Sequence, residues 1–258
     1  MSGLPGQIGQ MARRSVLQTL RQPAMVVPPV VFPLLLVAIN SSGLAAATKI
    51  RGFPTDSYWD FAIAVPFIQG SLFAAINAGT ALARDVETGF IKRLAMTPMQ
   101  RMALLIGQLI GVMVVALVSA CIYLLAGFVA GMDFKAGALG VPTVIVLAVL
   151  IALGFAAIGA YIGLRSGSGE AVQGVFPLLF VFLFLSSVNL PRNLIEQDWF
   201  RTIATYNPVS YLVEGVRSLI ITGWDGEALA LAFGIAAVIT AVAVTLAAGA
   251  LRTRLIRT

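Results

Sequence analysis

The sequence contains no histidine and a single cysteine, Cys121, which lies inside an apolar run. Without histidine there is no imidazole metal ligand, no Ser-His-Asp triad and no imidazole proton relay. One cysteine cannot form a disulfide within the chain, and a buried thiol acts as a small apolar side chain. No Gly-Lys pair, GxSxG, CxxC or HExxH occurs, so a phosphate-binding P-loop is absent. We therefore predict no catalytic residue and no metal site in this chain.

Charge is also scarce, since 11% of the 258 residues are charged and 59% are hydrophobic. A soluble domain carries about 25% charged residues. A helix needs about 20 apolar residues to cross the hydrocarbon core of a bilayer. Six runs of about this length or longer lie at 24–45, 61–83, 102–130, 141–164, 171–190 and 228–251. They do not alternate as barrel strands do, so we predict an all-α polytopic membrane protein, one transmembrane domain over 1–258 with six spans.

The basic residues predict which side of the membrane holds the termini. Six spans put both termini on one side, and 11 of the 17 basic residues then fall on that side. Lysine and arginine stay in the cytoplasm. We therefore predict a multi-pass protein of the bacterial plasma (inner) membrane with both termini cytoplasmic. This placement explains the net charge of +6 without nucleic acid, for which no basic stripe with interleaved aromatic residues exists.

The segment 1–22, before the first span, has an amphipathic pattern. Its apolar residues recur at helical spacing, and Arg13, Arg14 and Arg21 fall on the opposite face. This pattern predicts a helix on the inner leaflet with its bases facing anionic lipid or a partner. A frayed tail is the alternative.

The segment 84–101 is the most charged stretch of the chain and lies in a predicted cytoplasmic loop. Acids come first and bases later, which suits a helix dipole, and apolar residues including Leu94 form a stripe that Pro98 ends. We predict one short amphipathic helix there. Its apolar face either packs against the inner ends of the spans or enters a partner's groove, and periodicity does not choose between the two.

The longest predicted outer segment, 191–225, is too short and too charged to cross the bilayer alone. Asn207 can cap a helix whose first residue is Pro208, and Glu214 and Arg217 are three apart and can pair. We predict a re-entrant or interfacial hairpin, and charge buried there is often functional. A cap that only packs over the bundle is the alternative.

A few polar and aromatic side chains within the spans can line a substrate path. Gln69 and Asn77 are polar groups at membrane depth, although hydrogen bonds between helices are their commoner use. The aromatic candidates are Phe73, Phe176, Phe180 and Phe184, any of which can instead face lipid.

Three stretches in the same order resemble the ABC type-2 exporter permeases, in particular the daunorubicin-resistance-like drug permeases of actinobacteria. The first is Arg21-Gln22-Pro23 leading into a proline-bearing span. The second is Arg84-Asp85-Val86-Glu87-Thr88-Gly89 followed by Lys92-Arg93-Leu94 and Thr97-Pro98. The third is Tyr206-Asn207-Pro208, then Tyr211 and Glu214-Gly215-Val216-Arg217. The match in order and spacing covers nearly the whole chain.

The resemblance implies roles that the pattern does not show. It implies a dimer of permeases, alike or different, each bound to a separate cytoplasmic ABC ATPase that holds ATP and Mg²⁺, with membrane lipid around them. It implies a connecting helix at the N-terminus, re-entrant helices before the last span that gate the exit, and an amphipathic substrate passing between protomers along the second and fifth spans. It implies ATPase coupling through Arg84, Asp85, Glu87, Gly89, Lys92, Arg93, Leu94 and Pro98.

Two other function classes stay open at this point. A channel or ion-coupled transporter needs no ATPase, but the spans have no intramembrane carboxylates to carry coupling ions and no clear internal repeat. A structural or assembly protein would not transport at all. Binding and stimulation of an ATPase by this chain would separate these classes.

Overall fold

The fold is all-helical over residues 4–96 and 101–256, the part of the chain described by this computed structural model. Two short 3-10 helices, Ala45–Lys49 and Arg192–Leu194, lie in the connections. Within these ranges the α-helices are α1 Leu4–Leu20, α2 Pro23–Gly43, α3 Tyr58–Ala62, α4 Val65–Glu87, α5 Phe90–Ala95, α6 Arg101–Val129, α7 Gly137–Ser166, α8 Gly169–Phe184, α9 Asp198–Tyr206, α10 Pro208–Ile221 and α11 Gly226–Ile256. The predicted all-α class is confirmed.

Five helical segments are long and apolar enough to cross a membrane. They are Met25–Gly43, Tyr58–Glu87, Met102–Val129, Gly137–Ser166 and Gly226–Arg254. The run predicted at 171–190 forms the 16-residue helix α8, which at 1.5 Å per residue extends about 24 Å, against a hydrocarbon core of about 30 Å. The chain is a multi-pass helical membrane protein, and the count of six spans stays a prediction.

The most extensive helix contact joins α4 and α7. A Cβ atom at Gly159 would lie 1.8 Å from the carbonyl oxygen of Ala75, and one at Gly163 would lie 2.1 Å from that of Gly79. Small residues four apart allow transmembrane backbones to approach this closely. These glycines therefore set the distance between the two central helices, and α11 packs on the other side of α7.

Helix α1 packs along α6. A Cβ atom at Gly107 would lie 2.3 Å from Cβ of Met11, and one at Gly111 would lie 2.1 Å from Oγ of Ser15. The predicted helix is present, and a Gly-x-x-x-Gly stripe on α6 holds it against the bundle. Its position on the inner leaflet stays a prediction. Arg13 and Arg21 remain exposed.

Candidate functional site

The predicted coupling segment consists of two helices rather than one. Arg84, Asp85 and Glu87 belong to the last turns of α4, and α5 begins after Gly89. Gly89 has φ +68°, a left-handed conformation that favours glycine and breaks the helix. The prediction of one continuous helix from Arg84 to Pro98 is therefore wrong. Pro98 itself lies outside the described residues.

Arg14 on α1 connects this segment to the bundle. Its two terminal nitrogens donate to the two carboxylate oxygens of Asp85, at 3.1 and 2.6 Å. The guanidinium also lies 4.3 Å from the ring centroid of Phe90. A bidentate pair with a cation–π contact fixes orientation as well as distance. Arg14 therefore joins α1, the end of α4 and the start of α5.

Helix α5 divides sharply into a buried and an exposed face. Ile91 is buried among leucines from α4, α6, α7 and α11, and Leu94 packs against the same cluster. Lys92 and Arg93 are exposed, and Met96, which follows the helix, is 87% exposed. The apolar face thus packs against the ends of the spans, while Lys92 and Arg93 lie on the exposed side of the helix. Glu87 is exposed beside it and accepts a hydrogen bond from the backbone N–H of Gly169, at 3.3 Å.

Two proline positions in α2 have their freed carbonyls hydrogen-bonded by side chains of other helices. Pro29 and Pro33 cannot donate to the carbonyls four residues earlier, those of Met25 and Pro29. Nδ2 of Asn77 on α4 donates to the Met25 oxygen at 3.0 Å, and the Tyr123 hydroxyl on α6 donates to the Pro29 oxygen. Asn77 therefore joins α4 to α2 through this hydrogen bond.

A narrow cavity lies between α1, α2, α4, α6 and α7. About 50 Å³ of it is open to the centres of water molecules, which is room for a few of them. The lining residues that the structure describes include no charged side chain. The polar ones, from three of the helices, are Ser15, Gln18, Thr19, Ser71, Asn77, Gln108, Ser119 and Tyr123. The cavity can therefore hold water but has no carboxylate to relay protons.

The four phenylalanines predicted along a path come together in a connected row. Phe73 on α4 contacts Phe176 on α8 with ring centroids 5.4 Å apart, and Phe176, Phe180 and Phe184 follow one another along α8. Phe32 of α2, which was not among the predicted path residues, contacts both Phe73 and Phe180. The row is half-buried and opens outward at Phe32 and Phe184.

Gln69 lies one helical turn from Phe73 on the same helix, and its side chain is nearly completely buried. Its Oε1 has no hydrogen-bond partner among the described residues. An unpaired buried acceptor costs about 1–3 kcal/mol. Burial and a missing partner distinguish Gln69 from Asn77, whose amide nitrogen donates to a backbone oxygen.

Asn207 joins the ends of two helices near the predicted outer surface. Its side-chain oxygen accepts from the N–H of Val209 at 2.9 Å and caps α10, whose first residue is Pro208. Its Nδ2 donates to the oxygens of Phe182 and Leu185, at 2.7 and 3.0 Å, where α8 ends. These terminal carbonyls have no partner within their helix. The predicted cap is confirmed, and the bonds to α8 are an additional contact.

Arg217 is almost completely buried and donates to three backbone oxygens. The acceptors, each at 3.0 Å, are the oxygens of Phe61, Ser187 and Val188. The guanidinium carbon lies 3.5 Å from the ring centroid of Phe61. Arg217 therefore binds α10 to α3 and to the turn after α8, and the predicted pairing with Glu214 is wrong.

Glu214 pairs with Arg192, a residue that helical spacing could not indicate. Nε of Arg192 donates to Oε1 of Glu214 at 2.9 Å, a second guanidinium nitrogen donates to Oε2, and Ser187 donates to Oε1 at 2.8 Å. Burial lowers the pKa of Arg192, but the hydrogen bond and charge of Glu214 outweigh it and raise the pKa above its ordinary value. Arg192 also lies over the ring of Tyr211, whose hydroxyl donates to the Thr205 oxygen at 2.8 Å.

These features define the class of protein, which is a multi-pass helical membrane protein. The basic helix α5 packs against one end of the bundle, and at the other end α10 is held by hydrogen bonds and an ion pair of its charged side chains. Comparison with known proteins gives the family. Residues 6–221 match the ABC-2 type transporter family, and the chain belongs to it.

Individual relatives share only about a quarter of their aligned residues with this chain. DrrC of Mycobacterium tuberculosis, described as a probable doxorubicin resistance ABC transporter permease, is 27% identical over 156 residues, 60% of this chain. The aligned region is 55% of DrrC, so the chain spans little more than half of that relative. The ycf38 protein of Porphyra purpurea, provisionally described as a transport permease, is 25% identical over 85% of this chain and 76% of its own. Its counterpart in Pyropia yezoensis is 26% identical over 83% of this chain and 73% of its own.

Several contacts in these regions were missed by sequence reasoning. Gly107 and Gly111 form a Gly-x-x-x-Gly motif, which could have predicted a close helix contact. Each proline of α2 leaves a backbone carbonyl without its helical donor, which could have predicted a bond from another helix. The partners Arg192, Ser187 and Phe61 have no local signal, because they are far from α10 in sequence and meet it through the fold.

Proposed function

We propose that this chain is the membrane-spanning permease subunit of an ABC exporter, located in the bacterial plasma membrane with both termini in the cytoplasm. ATP and Mg²⁺ are bound and hydrolysed by a separate cytoplasmic ATPase subunit. The chain pairs with a second permease protomer and moves an amphipathic drug, antibiotic or lipid out of the cytoplasm or the inner leaflet. Membership of the ABC-2 family and the similarity to DrrC support this proposal.

The observation that carries the proposal is the exposed basic face of α5, a helix whose opposite, apolar face packs against the bundle. Lys92, Arg93 and Met96 are exposed, while Ile91 is buried in the bundle. Long side chains of this kind, basic with an exposed methionine, suit a groove on a partner protein. The Arg14–Asp85 pair transmits a push on α5 to α1 and α4.

Transport then follows an alternating-access cycle. ATP draws the two ATPase subunits together, and each moves the α5 helix docked on it. Because α5 is fixed to the inner ends of the spans, the protomers rock and open outward. The row of Phe73, Phe176, Phe180 and Phe184 offers an apolar, aromatic path to an amphipathic substrate, with Gln69 one turn away.

Charge reversal at α5 tests the proposal. In a tagged chain, Arg93→Glu and Glu87→Lys should each reduce the amount of co-purified ATPase more than about tenfold, because like charges facing across an interface cost several kcal/mol. Efflux of an amphipathic dye from cells should fall together with the amount of bound ATPase. Arg51→Glu, an exposed reversal at the predicted outer surface, is the matched control and should change neither.

Either of two results would contradict the proposal. Normal efflux and normal ATPase recovery in both α5 variants would show that α5 is not the coupling element. Efflux by the unmodified chain with no ATPase bound would favour an ATP-independent transporter.

A further inference from the structure

A basic pocket of about 540 Å³ lies between α7 and α11, beside α5. Three cations line it, Lys92, Arg165 and Arg254, and no carboxylate lines it among the residues that the structure describes. Within the same residues, none of the three cations forms an ion pair. The pocket therefore concentrates positive charge between spans, at the end of the bundle that holds the predicted cytoplasmic loops.

Arg254 is held in place with donors to spare. Its Nε donates to the Leu164 oxygen at 2.8 Å and its Nη2 to the Arg165 oxygen at 3.0 Å, where α7 ends. A guanidinium has five N–H donors, so three remain for an anion. Tyr161 adds a hydroxyl that has no partner in the described part of the chain. A phosphate oxygen accepts from donors of this kind.

An apolar groove of about 510 Å³ continues from this pocket along the same two helices. Tyr161 and Leu246 line both spaces, so the two are adjoining. From Leu246 to Val238 the groove follows α11 for about 12 Å. The rest of its lining is entirely aliphatic and comprises Ile158, Ile162, Val238, Ile239, Val242 and Ala243.

We propose that the pocket and groove together form a binding site for one anionic phospholipid, with its phosphate among Lys92, Arg165 and Arg254 and an acyl chain in the groove. Basic pockets between spans on the cytoplasmic side suit anionic headgroups. The order of the two parts matches a lipid of the inner leaflet, since the cations lie at the helix ends and the groove runs toward the membrane interior. The site uses a surface of α7 and α11 that the row of phenylalanines does not reach.

Lipid retention on the purified permease, without any ATPase, tests this site independently of the exporter proposal. The chain is purified in detergent with phosphatidylglycerol or with phosphatidylcholine of the same acyl chains, and bound lipid is counted by native mass spectrometry. We expect one phosphatidylglycerol retained in preference to phosphatidylcholine. Each basic residue near such a surface contributes about a fivefold preference. Arg165→Gln should therefore lower the preference about fivefold, and Arg165→Gln with Lys92→Gln about 25-fold.

Arg252→Gln is the matched control for charge, because Arg252 is an exposed base of α11 outside the pocket lining. It should leave the preference unchanged. Val242→Trp fills the groove and should release the lipid, while Val146→Trp, at an exposed valine of α7 outside the groove, should not.

Three results would overturn the proposal. The first is an unchanged preference in the Arg165→Gln, Lys92→Gln double variant, or an equal loss in Arg252→Gln. The second is displacement of the bound lipid by glycerol 3-phosphate or inorganic phosphate at similar concentration, which would indicate a phosphate site without a role for the acyl chain. The third is a dimer that dissociates in Val242→Trp while lipid retention persists, which would assign the groove to a second copy of the chain.

Discussion

Charged side chains at the two ends of the bundle have opposite environments, buried or half-buried and hydrogen-bonded at one end and exposed at the other. At the predicted outer end, Arg217 and Glu214 of α10 lie within the structure and are hydrogen-bonded to backbone oxygens, a serine and Arg192. At the predicted inner end, Lys92 and Arg93 of α5 are exposed and form no ion pair within the described residues. A charge that is already satisfied stabilises the fold, whereas an exposed and unpaired charge is available to a partner. Substitutions should therefore separate the two ends by stability and by partner binding.

The largest effect on stability should come from Arg217. Arg217→Met leaves the buried oxygens of Phe61, Ser187 and Val188 without this donor, and each buried acceptor left unsatisfied costs about 1–3 kcal/mol. Thermal unfolding in detergent should show a strongly lowered midpoint. Arg201→Met, at an exposed arginine of α9, is the control and should stay close to the unmodified protein. A stable Arg217→Met variant would contradict the structural role of this residue.

The Arg192–Glu214 pair should give the next largest effect. A double-mutant cycle with Arg192→Gln and Glu214→Gln should yield a coupling energy of about 1–3 kcal/mol, because the two groups share a half-buried network with Ser187. The same cycle at the exposed pair Arg201 and Asp198 should yield less than about 0.5 kcal/mol. Equal coupling in the two pairs would mean that burial adds nothing at the outer end.

A smaller effect is expected at Asp85, where the inner end resembles the outer one. Asp85→Asn weakens a bidentate pair whose arginine, Arg14, is partly exposed. The free energy of unfolding should therefore fall by about 1 kcal/mol. Hydrogen exchange should become faster in α5 but not in α10, because only α5 depends on Arg14. Asp56→Asn, an exposed change, is the control. Unchanged exchange in α5 would show that Arg14 does not hold this helix.

The smallest change in stability should follow removal of the exposed charges. Lys92→Ser with Arg93→Ser should alter the free energy of unfolding by less than about 0.5 kcal/mol, as surface substitutions do. The same variant should lose most of the co-purified ATPase under the proposed function. A large loss of stability with full ATPase recovery would contradict this expectation, because it would show that Lys92 and Arg93 stabilise the fold instead of binding a partner.

The helices themselves were largely predictable from the sequence. Apolar length predicted the spans at 102–130 and 228–251 to within a few residues at most boundaries, because a bilayer requires long helices that satisfy their own backbone. Asn207 followed by Pro208 predicted the start of α10, since capping is a local interaction. Gly89 could have predicted the break before α5, but the acid-to-base order favoured one helix.

Contacts between helices were harder to predict. Glu214 and Arg217 satisfy the spacing for an ion pair within one helix, yet three backbone oxygens and Arg192 offered these groups better partners in the folded chain. The sequence offered the four phenylalanines as candidates for a path but could not show that Phe73 meets those of α8 or that Phe32 completes the row. Such partners depend on how spans pack, and this information is not local to either residue.

The prolines of α2 have a mechanical consequence. An ordinary helix resists bending because its own ladder of hydrogen bonds must be strained. In α2, the oxygens of Met25 and Pro29 are bound by Asn77 and Tyr123, which belong to neighbouring helices. The stiffness of α2 at these two turns is therefore set by its neighbours, so that a shift of α4 or α6 alters how freely α2 bends.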